Sequence, residues 1–88
     1  MDLKTVLVRN PEAAYRIYDG EATIVLPGRA EVKVLNLVGS LVWDRIDGRQ
    51  ELGAILQQIL AEFDTTPATA EADLLEFATA LREHGMVS

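Results

Sequence analysis

His84 is the only histidine in the chain, and there is no cysteine. The side chains best suited to proton transfer and to soft-metal binding are therefore almost absent. A lone histidine between Glu83 and Gly85, in the last turn of a helical pattern, fits an electrostatic interaction with the helix C-terminus better than a ligand or base role. Thr65, Thr66, Thr69 and Thr79 fall near helix ends or on a helix surface, and none has a matching base in a recognisable motif. Asp44 and Asp47 flank a helix end, which accounts for them better than an acid/base pair does. The six glycines, at 20, 28, 39, 48, 53 and 85, are scattered singly, so no loop cradles a phosphate. Without thiolates the chain by itself forms no disulfide and holds no iron–sulfur cluster. These residues point away from an enzyme, a metal site and a cofactor.

One serine is weighed separately. Gly39-Ser40-Leu41 is similar to the Asp-Ser-Leu site on which acyl carrier proteins hold phosphopantetheine, and a small acidic chain fits a carrier. Gly stands where Asp is expected, however, and carriers are all-helical, whereas the first third of this chain has strand periodicity. Gly39 and Ser40 read instead as small residues that let a helix pack closely.

The charge is uneven. Of the net −6, residues 1–36 contribute nothing, with five acids and five bases, while residues 37–88 hold nine acids and three bases. Such a surface repels the phosphate backbone, so nucleic acid is not expected as a partner. The acids serve solubility or steer a basic partner. At 88 residues and 49% hydrophobic, the chain is expected to form one domain, residues 1–88, with a genuine core. No apolar run approaches the ~20 residues of a membrane span, and Met1-Asp2-Leu3-Lys4 lacks a secretory layout. A cytoplasmic protein without a membrane partner is expected.

These residues are positioned by a change of period along the chain. Ala14–Tyr18, Ala22–Leu26 and Glu31–Leu35 read as strands, separated by the turn dipeptides Asp19-Gly20 and Pro27-Gly28. Val6-Leu7-Val8 could add a short strand. Asn36 is an N-cap, after which Val38, Leu41, Val42 and Ile46 follow helical spacing with Trp43 on the flank. Asp47-Gly48 closes that helix, with Gly48 at the left-handed C′ position. Leu52, Ile55, Leu56, Ile59, Leu60 and Phe63 form a second amphipathic helix, broken at residues 64–67. Leu74, Phe77, Ala78 and Leu81 form the stripe of a third, begun near Thr69 and ended by Gly85, with Met86-Val87 packing back on the core. The order predicts an α+β domain of winged-helix type, a three-stranded antiparallel sheet followed by three helices.

From Leu35 onward the chain resembles the PqqD-like family of precursor-peptide recognition elements. The matching residues are Leu35-Asn36, Gly39, Trp43, Asp47-Gly48, then Leu52, Ile55, Leu60 and Phe63, and last Asp73, Phe77, Leu81, Gly85 and Val87. The resemblance implies a non-catalytic peptide chaperone. Such a domain binds the leader of a ribosomally made precursor peptide and hands it to a modifying enzyme, often a radical-SAM enzyme. It also implies that the leader adds to the third strand, Glu31, Val32, Lys33, Val34 and Leu35, beside a helix spanning about residues 72–81.

An edge strand offers unpaired N–H and C=O groups to an extended peptide. Val32 and Val34 point to one sheet face and Lys33 and Leu35 to the other; alternation leaves open which face serves the core. On the helix, Leu74, Phe77 and Leu81 are expected to face inward as core, while Asp73, Glu76 and Ala80 lie nearer the flank, where the carboxylates could meet a basic leader. An exposed edge also leaves both a monomer and a homodimer open. The alternatives are a DNA-binding winged helix and an acyl carrier.

Overall fold

The computed structural model describes residues 1–88, apart from the Arg29 side chain. Strands β1 (Ala14–Tyr18), β2 (Glu21–Leu26) and β3 (Glu31–Val34) precede helices α1 (Leu37–Arg45), α2 (Leu52–Glu62) and α3 (Pro67–Glu83). The strands form one antiparallel sheet in the order β1-β2-β3. The expected α+β architecture is the observed one. Among the described residues no helix is long and apolar enough to cross a membrane.

The β1–β2 turn is made by Asp19 and Gly20, with φ of 52° and 79°, closing on the Tyr18–Glu21 pair. Two left-handed residues give the turn whose twist matches that of the strands, and Asp-Gly is suited to it. The second turn differs from expectation. Pro27–Arg29 form a turn of 3-10 helix, and Ala30, with φ of 52°, is the left-handed residue in place of Gly28. Pro27 sets its own φ in the helical range. The reversal therefore comes only after Ala30 N–H has bonded Pro27 O at 3.2 Å.

The helix ends follow local chemistry. Asn36 Oδ1 accepts the Gly39 N–H at 2.8 Å and starts α1. Ile46 caps its other end, so Asp47 is the C′ residue and Gly48 (φ 79°), expected at C′, lies one residue further on. α3 begins at Pro67, ahead of the expected Thr69, because Thr66 is the cap and accepts the Thr69 N–H at 3.3 Å. Proline at the first helical position loses no hydrogen bond there. At the far end Gly85 (φ 73°) reverses the chain, with Gly85 N–H on Arg82 O and Met86 N–H on Leu81 O, both at 3.0 Å.

Trp43, expected on the flank of α1, is completely buried. The N-terminal segment covers it. The Arg9 guanidinium lies 5.0 Å from the Tyr15 ring centre and 5.8 Å from that of Trp43, and it donates to Tyr15 Oη at 3.0 Å. Tyr15 meets Trp43 edge-on at 5.5 Å. Val6-Leu7-Val8 is not a strand. It lies among the isolated bridges Val6–Glu51 and Arg9–Val87, and Val8 and Ser88 exchange N–H···O bonds at 2.9 Å. The expected return of Met86 and Val87 to the core is observed, both being buried.

Ser40 is only 3% exposed. Its Oγ accepts the Ala22 N–H at 2.7 Å and stands 3.4 Å from Leu35 O, where β3 leaves the sheet. A hydroxyl so enclosed is no attachment point for a prosthetic arm, which removes the acyl-carrier alternative. Ser40→Ala leaves the buried Ala22 N–H without an acceptor. It should lower unfolding free energy by about 1–3 kcal/mol in a urea titration.

The N–H groups of Gln50 (2.9 Å) and Arg49 (2.8 Å) donate to Asp47 Oδ1 and hold its carboxyl below the ordinary carboxylate range. A folded-state pKa below the unfolded one adds stability above the unfolded value and loses it as pH falls through the folded value. Asp47→Asn should therefore be the less stable protein at about pH 7. The gap should close on acidification to about pH 2, as followed by parallel denaturation series.

Candidate functional site

β3 is an outer strand of the sheet and is paired on one side only. Leu35 N–H donates to Ala22 O at 2.8 Å, and the register continues as Val34–Thr23, Lys33–Ile24, Val32–Val25 and Glu31–Leu26. Bonded and non-bonded pairs alternate in an antiparallel ladder. Lys33 and Glu31 thus turn their backbone groups toward β2, while Val32 and Val34 turn both N–H and C=O outward to the free edge. Val32 and Val34 are 66% and 69% exposed, whereas Leu35 is buried and Lys33 lies across from the buried Ile24. The question left open by alternation is thereby answered: Lys33 and Leu35 are on the core side. At the start of the strand, Glu31 Oε1 lies 3.3 Å from Nδ1 of His84, the cap residue of α3. His84 thus joins the third strand to the third helix.

A groove of about 610 Å³ opens just past the other end of β3, at Asn36. Val38, Gly39 and Val42 of α1 form one wall, Ile59, Phe63, Asp64 and Thr65 form its base, and α3 supplies Ala70, Asp73, Leu74, Glu76, Phe77 and Ala80. Because His84 meets Glu31 while Phe77 meets Gly39, α3 runs antiparallel to the path from β3 into α1.

Of the helix residues singled out from the sequence, Asp73, Leu74, Glu76, Phe77 and Ala80 line this groove. Leu81 does not, being wholly buried in the core. Phe77, expected to be core, is only half-buried and presents its ring to the groove. On the strand, Glu31, Val32 and Lys33 border a separate cleft of about 230 Å³ shared with His84 and Met86.

The walls contributed by α1 and by Phe63-Asp64-Thr65 were not identified from the sequence. Their one legible signal is Gly39, a glycine in the first turn of α1. A Cβ there would lie 3.2 Å from both Phe77 Cζ and Asn36 Oδ1. The absent side chain lets α1 and α3 approach, and it leaves the Phe77 ring and the Asn36 cap in place.

The model of the PqqD family, coenzyme PQQ synthesis protein D, matches residues 21–87. The chain belongs to that family. It is similar to the PqqA binding proteins of Xanthomonas oryzae pv. oryzae strains PXO99A and KACC10331 / KXO85. Each is 36% identical over 59 residues, which is 67% of this chain and 64% of the relative. The chain thus spans 64% of the length of the curated relatives it matches.

Two solved structures share the fold. TbiB1 in complex with the TbiA(beta) leader peptide superposes with a TM-score of 0.82 at 23% identity, over 92% of this chain and 94% of that one. Lasso peptide synthetase B1 complexed with its leader peptide gives 0.83 at 21% identity, over 96% and 99%.

Gly39→Ala tests the close approach. Alanine is the better helix former by about 1 kcal/mol, but overpacking costs about 1–3 kcal/mol. The variant should be no more stable than the parent, and Phe77→Leu should restore stability in a double-mutant cycle read by denaturation.

Proposed function

We propose that this chain binds the leader segment of a ribosomally made precursor peptide by strand addition to β3 and presents it to a modifying enzyme, such as a radical-SAM maturase. The observation that carries this reading is the outward row of N–H and C=O groups on Val32 and Val34, set beside the groove between α1 and α3. Main-chain pairing gives affinity for an extended segment, and selectivity falls to the side chains around it. The names of the relatives support the reading, since the Xanthomonas proteins bind PqqA and both structural neighbours are complexed with leader peptides.

On this reading the chain acts by binding and not by catalysis, with its one histidine set against Glu31 and its one enclosed serine bonded to Ala22 and Leu35. A DNA-binding winged helix is disfavoured by charge. α2 contains no Lys or Arg, α3 contains Arg82 alone, and acids line the groove.

The edge gives a clean test. Val34→Pro removes an N–H that points away from β2, so the ladder keeps its bonds and an edge strand tolerates the ring. Affinity for the leader of a genomically neighbouring precursor, measured by calorimetry, should fall about tenfold or more, roughly one backbone hydrogen bond and a lost fit. The thermal midpoint should barely move. Unchanged affinity would exclude strand addition at β3.

A further inference from the structure

The groove past the Val34 end of β3 has a chemistry that the strand edge lacks. Its interior is apolar, built by Val38, Val42, Ile59 and Phe77, yet every charged side chain on its lining is acidic: Asp64, Asp73 and Glu76. Asp73 and Glu76 are three residues apart on α3 and so lie on one face of the helix. Like charges at that spacing oppose the helix, and among the described residues none of these carboxylates is in an ion pair. Fixed charge of one sign around a low-dielectric cleft concentrates the opposite sign there. The volume lies within the ~300–1,000 Å³ of ordinary ligand sites, enough for more than one side chain.

We propose that this groove selects a peptide segment in which a large apolar residue and a basic residue stand two positions apart: the apolar side chain seats against Phe77, and the Lys or Arg pairs with Asp73 and Glu76. The spacing follows from the two backbones. Asp73 and Phe77 are four residues apart on α3, about 6 Å along the axis at 1.5 Å per residue. An extended peptide covers that in about two residues at 3.3 Å each, and residues two apart project to the same side. The inference rests on strand addition at β3, because it is the paired segment that delivers these residues past Asn36 into the groove.

The test is selection from a phage library of random peptides about 12 residues long, roughly 40 Å of extended chain. It would be run against the parent, Val34→Pro, the neutral double variant Asp73→Asn/Glu76→Gln and the reversed variant Asp73→Lys/Glu76→Lys. Both carboxylates are exposed, and thermal melts check that each variant is folded. The parent should enrich Leu or an aromatic residue two positions away from Lys or Arg, in one fixed order. A synthetic copy of the best sequence should bind the neutral variant about threefold to tenfold more weakly. The reversed variant should enrich Asp or Glu at the same position.

Peptides that need an intact β3 edge but show no basic preference, or that bind parent and neutral variant equally, overturn the groove inference and leave strand addition standing. Peptides that bind Val34→Pro as tightly as the parent overturn strand addition, and with it the delivery route this inference requires. Enrichment of nothing overturns both.

Discussion

Ala22 ties β3 and α1 to the centre of the sheet through its own two backbone groups. Its carbonyl accepts from Leu35 N–H at 2.8 Å, and its N–H donates to Ser40 Oγ at 2.7 Å. The Ser40 hydroxyl also faces Leu35 O, so it stands where the last ladder bond would otherwise close. One residue of β2 thereby fixes both the register of β3 and the seat of α1. A slip of one residue would turn every side chain of β3 to the opposite face. Val32 and Val34 would then point into the core, and the acidic and basic side chains of Glu31 and Lys33 would point to solvent.

The geometry of the edge and that of the groove are consequences of this anchor. β3 leaves the sheet at Leu35, Asn36 caps α1 immediately, and Gly39 falls one turn inside the helix against Phe77. A strand edge with outward polar groups and an apolar groove thus follow one another without a break. α3 meets the strand at His84 and the groove at Phe77, and its two ends are held separately. Thr66 and Pro67 start it, and Gly85 returns the chain so that Met86 and Val87 bury themselves and pair with the N-terminal segment. The same segment brings Arg9 to Tyr15 and Trp43, tying the sheet to α1 from the far side.

The acids of the helical half have different surroundings. Asp47 is satisfied by two backbone N–H groups and stabilises the link between α1 and α2. Asp73 and Glu76 have no cation within ion-pair reach among the described residues and border an apolar surface.

Features set by local chemistry are legible in the residues themselves. Asp19-Gly20 specified the hairpin, Asn36 the start of α1 and Gly85 the end of α3, because each acts through its own backbone angles or through amides within one turn. The sequence also placed the edge strand and most of the groove face of α3, since periods of two and of 3.6 residues mark which positions share a side. Contacts between distant segments were decided only by the tertiary structure. Trp43 is core because Arg9 and Tyr15 cover it, and Phe77 lines a groove because Gly39 lets α1 come close. Val32 and Val34 face outward because Ala22, bonded to Ser40, sets the register. Periodicity fixes which residues face together, but the direction they face depends on what packs against them, and those partners lie elsewhere in the chain.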